Sequence, residues 1–183
     1  MNKTLRFSLL TLLVMLCGTV FADDSQTLTF STAAGYAELT VTTAGTSGTG
    51  SDLEVSKGDI TVTSNLGYIK DHEMTIYKNG TMTVTLAESL NAHITKVELN
   101  VSNYHFSPSI DGWTAGEAYQ TTTKISGDNA EEFTTTADDK TSITFKNVSN
   151  GKTTVKSVTV YYASNAGEEP AAEPYTCDFN TAI

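Results

Sequence analysis

Apolar residues that recur at every second position, in run after run along one chain, leave few folds open. Leu28 and Phe30 alternate in TLTFS, Leu39 and Val41 in AELTVT, Ile60 and Val62 in DITVTS, and Met74 and Ile76 in EMTIYK. Met82, Val84 and Leu86 follow in TMTVTL, then Ile94, Val97 and Leu99 in ITKVELNV, Ile143 and Phe145 in TSITFK, and Val155, Val158 and Val160 in TVKSVTVYY. Side chains of a strand point alternately to its two faces, so each run offers one face to a core and one to water. Thr, Val, Ile, Tyr and Phe fill these runs, and all of them suit a pleated surface. Turn formers punctuate them at Gly45 to Ser51, Asn79-Gly80, Ser126 to Asn129, Asp138-Asp139 and Asn150-Gly151. Asn79-Gly80 predicts a type I′ hairpin, and Asn150-Gly151 a second, looser one. No stretch keeps a helical period; Ala87 to Ala92 makes a single helical turn at most. About nine or ten short strands at this spacing predict an all-β fold, an antiparallel two-sheet β-sandwich of jelly-roll type.

The ends of the chain read differently. MNKTLR carries Lys3 and Arg6, an apolar run extends from Phe7 to Val20, and Val20-Phe21-Ala22 closes it with small residues where a signal peptidase inspects. That is the pattern of a cleavable signal peptide, and the run is shorter than the roughly 20 residues that span a bilayer. Cys17 invites acylation, but Leu16 stands where a lipobox needs a small residue. The expected organisation is a signal peptide at 1–22, a β-sandwich domain at 23–163 and an Ala/Glu/Pro linker at 164–174. Residues 175–183 are then either the opening of a further domain or a disordered tail. After cleavage, 21 acids face 9 bases and Arg6, the sole arginine, is gone. Such a surface repels nucleic acid and anionic lipid, and it lacks the guanidinium fork that grips phosphate. Cys177 is then the single thiol, so no internal disulfide or cysteine-based zinc site is available to the mature chain.

The stretch DITVTS…MTIYKNGTMTVTL…HITKVELNV, followed by ITFKN…TVKSVTVYY, resembles a β-sandwich repeat of secreted and surface proteins of Bacteroidota. The closing PYTCDFNTAI is similar to the start of a choice-of-anchor J domain. The resemblance implies an extracellular, multi-domain, non-catalytic architecture, and it transfers no functional residue.

The residues themselves carry little chemistry. His72 lies in Asp71-His72-Glu73, where strand geometry sends neighbours to opposite faces and a solvated turn is the expectation. His93 and His105 read as surface or edge residues rather than bases. Glu131-Glu132, Asp138-Asp139 and Glu168-Glu169 are adjacent acids in expected loops, not carboxylates facing each other across a sugar at about 5 to 10 Å. Glu98 and Asp111, separated in sequence, are another pair able to meet in a fold. No cofactor is expected; a structural calcium ion is the one option, with Asp128, Asn129, Asp138 and Asp139 as oxygen donors. The most distinctive patch is NYHFSPSIDGWTAGEAY, from Asn103 to Tyr119. Its aromatic residues Trp113, Tyr104, Phe106 and Tyr119 suit stacking on sugar rings, with Asp111 and Glu117 as rim acceptors. Trp113 equally suits a plug at one end of a sandwich core.

The functional expectation is an exported, non-enzymatic surface interaction or structural module within a larger protein, for adhesion or display. The alternatives are a carbohydrate-binding module and, remotely, a glycan-active hydrolase. No nucleic-acid partner and no membrane span in the mature chain are expected; the ligand is a glycan or a surface protein, and oligomeric state stays open.

Overall fold

Each alternating run becomes a strand or abuts one. The computed structural model describes residues 23–108, 112–117, 119 and 124–165. The signal segment, nearly all of the linker, the 175–183 tail, Cys177 and Asp111 lie outside them. Twelve strands are present among the described residues. They are β1 (Asp24–Thr29), β2 (Thr40–Ala44), β3 (Ser51–Lys57), β4 (Ile60–Lys70), β5 (Glu73–Ile76) and β6 (Thr81–Leu86), then β7 (Ala92–Tyr104), β8 (Ser107–Pro108), β9 (Thr114–Ala115), β10 (Lys124–Thr134), β11 (Ser142–Lys146) and β12 (Thr153–Ser164). The protein is all-β and every strand pairing is antiparallel.

The two halves of the sandwich are joined rather than separate. One ladder runs β8-β11-β6-β4-β5-β12-β7-β10-β9, with β1 added to β12 and β2–β3 to β4. The joint is β4: its first half, Ile60 to Ser64, pairs with β6, and its second, Gly67 to Lys70, pairs with β5. The sheet therefore folds back on itself and is nearly closed, barrel-like. Inward residues of every long strand meet inside, with Phe30, Phe106, Phe133 and Phe145 the largest side chains that are fully buried. Helix is confined to α1 (Ala33–Ala37), capped where Thr32 accepts from the Gly35 N–H, and to a 3₁₀ turn at Glu88–Leu90.

Neither Asn-Gly pair makes a hairpin. β5 pairs with β4 and β12, whereas β6 pairs with β4 and β11, so Asn79-Gly80 carries the chain across a corner. Asn79 adopts φ 65°, but Gly80 has no positive φ. Glycine is needed there for space, because a Cβ would stand 2.9 Å from Leu66 Cβ. Asn150-Gly151 likewise links β11 to β12, which do not pair with each other. The type I′ hairpin occurs instead at Asp71-His72, with φ 54° and 63°, and brings Lys70 opposite Glu73. Two consecutive left-handed residues match the strand twist in such a turn.

Both corners are held by Asn147, which is fully buried. Its backbone accepts from Asn79 N–H and donates to Gly80 O, each at 2.8 Å. Its side-chain amide donates to Ile76 O at 3.0 Å and Gly151 O at 2.9 Å, while Oδ1 accepts from the Ser149 N–H and hydroxyl.

β10 overturns a second expectation. Ser126 to Asn129, a turn cluster by composition, lies within a strand whose register against β7 shifts between Lys124 and Asp128. Gly127, at φ 90°, supplies the irregularity. Glu131 and Glu132 are therefore strand residues on opposite faces, the first buried and the second exposed.

Candidate ligand-binding groove

The outer face of β4-β5-β12-β7-β10 carries an open groove of ≈ 380 Å³ lined by Tyr68, Glu73, Thr75, Asn103, Tyr104, Lys124, Lys152 and Thr154. Strand register explains the convergence. Tyr68 stands opposite Thr75, Thr75 opposite Thr154, Thr154 opposite Ser102, and Tyr104 opposite Lys124. Directly opposed residues share a face, as do residues two apart on one strand. Glu73 thus joins Thr75, and Tyr104 joins Ser102. Asn103 breaks the alternation with φ 73°, which swings its side chain onto the same face.

The floor is organised by one hydroxyl. Thr154, 2 % exposed, donates to Glu73 Oε1 at 3.2 Å and accepts from Asn103 Nδ2 at 2.9 Å. A carboxylate and an amide are thereby oriented before any ligand arrives, which lowers the entropy lost on binding. The walls are two rings, one backed by a glycine and one by a second tyrosine. A Cβ on Gly151 would lie 2.0 Å from Tyr104 Cε2, so the Tyr104 ring packs directly on that glycine. Tyr77 stands beside Tyr68 with ring centroids 5.7 Å apart, and its hydroxyl accepts from the Gly48 N–H at 2.8 Å. Lys152 Nζ lies 4.6 Å from the Tyr77 ring centroid, a cation–π contact that steadies a long side chain.

Gly151→Ala is expected to push the Tyr104 ring out of place. Overpacking costs about 1–3 kcal/mol of stability, and the groove loses one wall. Thermal melting beside ligand titration separates the two effects.

Of the six residues proposed from the sequence as ligand contacts, Tyr104 alone lines this groove. Phe106 is fully buried against Phe145, with centroids 5.9 Å apart. Trp113, 8 % exposed, belongs to the core and borders a smaller pocket along Asp139–Thr144. Both rings are buried in the core, so neither is exposed for stacking. Tyr119 is half-buried between His105 and Phe133, at 6.2 and 5.5 Å. Glu117 is exposed on a turn, and Asp111 lies outside the described residues. The calcium donors are dispersed: Asp128 sits on β10 and Asp138-Asp139 beyond its far end, a run of strand of roughly 20 Å away. Among the described residues no three His, Cys, Asp or Glu side chains group as a metal site.

His105 is not a surface residue. It is 5 % exposed, and its Nδ1 hydrogen-bonds Oε1 of Glu131, itself 1 % exposed. Asn129 Nδ2 also donates to that oxygen, at 3.4 Å, while Oε2 has no hydrogen-bond partner among the described residues. Burial pushes the Glu131 carboxyl above its ordinary value, and the His105 contact opposes that shift. Burial likewise raises the Tyr119 phenol, with the Glu131 charge adding to it. Neither His105 nor Glu131 lines the groove. A larger hollow of ≈ 470 Å³ by Asp52, Glu54 and Asn65 has no aromatic wall.

No protein-family model, curated protein or solved structure matches the chain.

Proposed function

We propose that the chain is an exported, non-catalytic interaction module of β-sandwich type, and that its groove captures a glycan at or beyond the cell surface. The observation that carries the reading is the groove itself. Rings fixed against a glycine and a second tyrosine suit the apolar faces of sugars, and a pre-oriented carboxylate and amide suit their hydroxyls. The resemblance to secreted surface repeats and the signal-like start favour the same compartment. The non-catalytic part rests on the carboxylates: Glu73 is the one acid among the described residues that line the groove, whereas glycoside hydrolysis calls for two at about 5 to 10 Å.

Binding of the full chain to a broad glycan array, with Tyr104→Ala and Tyr68→Ala beside it, tests this. Selective binding that weakens about tenfold in each variant, or about 1.4 kcal/mol, is the expected result. Silence across the array, or binding indifferent to both tyrosines, would move the ligand class to a protein partner.

A further inference from the structure

We infer that the groove selects sugars bearing a carboxylate, binding anionic glycans in preference to neutral ones. The inference rests on the reading of the groove as a sugar site and adds to it the charge of the ligand.

The chain as a whole is acidic, with a formal net charge of −10, so an anionic ligand meets an unfavourable field unless cations are gathered locally. They are gathered at the groove. Lys124 enters from the start of β10 and Lys152 from the corner that precedes β12, and both line it. Lys78, which flanks Tyr77 in the chain, donates to Asn150 Oδ1 at 3.0 Å, beside the Gly151 that carries Tyr104. Among the described residues neither Lys124 nor Lys152 lies within 4.0 Å of a carboxylate oxygen. Away from the groove, Lys57 beside α1 and Lys96 further along β7 are each matched to a glutamate at 2.7 Å.

A neutral sugar accepts hydrogen bonds from such ammonium groups but brings no charge to meet them. A sugar carboxylate does, as strong hydrogen bonds assisted by charge form at these sites. Glu73 is exposed as the lysines are and keeps its charge, but it pairs with neither, so the groove sets two ammonium groups against one carboxylate. The arrangement sorts a ligand by part: sugar hydroxyls to Glu73 and Asn103, which Thr154 orients from the floor, rings to Tyr68 and Tyr104, and the carboxylate to Lys124 and Lys152.

The test is calorimetric titration of the full chain with oligogalacturonate, alginate and hyaluronan oligomers. Each is set beside its carboxyl-reduced counterpart, which keeps the backbone and removes the charge. The acid form of at least one pair is expected to bind about tenfold tighter at low salt. That gap shrinks at high ionic strength, because exposed charges are screened within about 8 Å at physiological salt. Lys124→Ala/Lys152→Ala, both at exposed positions, should abolish the gap and leave the melting temperature unchanged. Acid and reduced forms that bind alike would overturn the charge preference and leave the glycan reading intact. Absence of binding by every acid oligomer at low salt would also overturn it, and the glycan reading would fall with it only if neutral arrays are silent too.

Discussion

Asn147→Ala is expected to lower stability by about 3–5 kcal/mol, a downward shift in melting temperature of roughly 10–20 °C for a domain of this size. The estimate follows from what the side chain leaves behind. Its four side-chain hydrogen bonds are made to groups at the ends of β5 and in the turn before β12. Truncation takes the acceptor from the Ser149 N–H and a donor from the Ile76 and Gly151 carbonyls, of which Gly151 keeps the Ser149 hydroxyl at 3.2 Å, and burying unsatisfied groups costs more than the bonds themselves contribute. Asn147→Asp should be no better at neutral pH, since it sets a charged oxygen against two carbonyls where the amide now donates. Chemical denaturation of both variants checks this. A loss under about 1 kcal/mol for the alanine variant would mean that the corners hold without the asparagine.

His105→Ala is expected to cost about 3–5 kcal/mol at neutral pH, because it leaves Glu131 buried as an uncompensated charge. Glu131→Gln placed in the same chain should recover a good part of that loss. The pH dependence has a definite sign. Burial holds the folded carboxyl above its ordinary value of 4.5, so the folded state binds more protons than the unfolded state between that value and the folded one. This contribution is fully present below about 4.5 and is lost as pH rises through the folded value. The His105→Ala variant should therefore recover stability as pH is lowered through that window, with Glu131→Gln flattening the dependence. Denaturant midpoints taken from pH 4 to 8 decide it; a cost in His105→Ala that does not change with pH would show that packing, not charge, is what the histidine supplies.

How much of this was legible in the residues follows from where the information sits. The alternations of TMTVTL and TSITFK announce strands because period two is a local property, and both runs are strands, β6 and β11. Pairing is not local. Asn79-Gly80 marks a change of direction, yet nothing near it says that β5 continues toward β12 while β6 joins β11. β10 was hidden for the opposite reason: Ser126, Gly127, Asp128 and Asn129 favour turns by themselves and are held extended by pairing with β7. Asn147 carried no signal at all, since one asparagine after ITFK looks like any loop residue. The groove was illegible because five strands contribute to it, and Tyr68, Lys124 and Lys152 are ordinary surface types until register places them together. Trp113 drew attention by being the only tryptophan, and the fold uses it for volume.

The shared edge of β12 sets the order in which the molecule can be finished. β5 occupies that edge at Thr153 to Val155, and β1 takes the remainder from Ser157 to Tyr162. Thr27 and Thr159, whose hydroxyls meet at 2.9 Å, are 132 positions apart. A chain made or threaded from its N-terminus must therefore keep its first strand unpaired until nearly the whole domain has emerged. Loop closure over such a distance belongs to folding in milliseconds to seconds rather than microseconds. The last strand to appear is the one that locks the first.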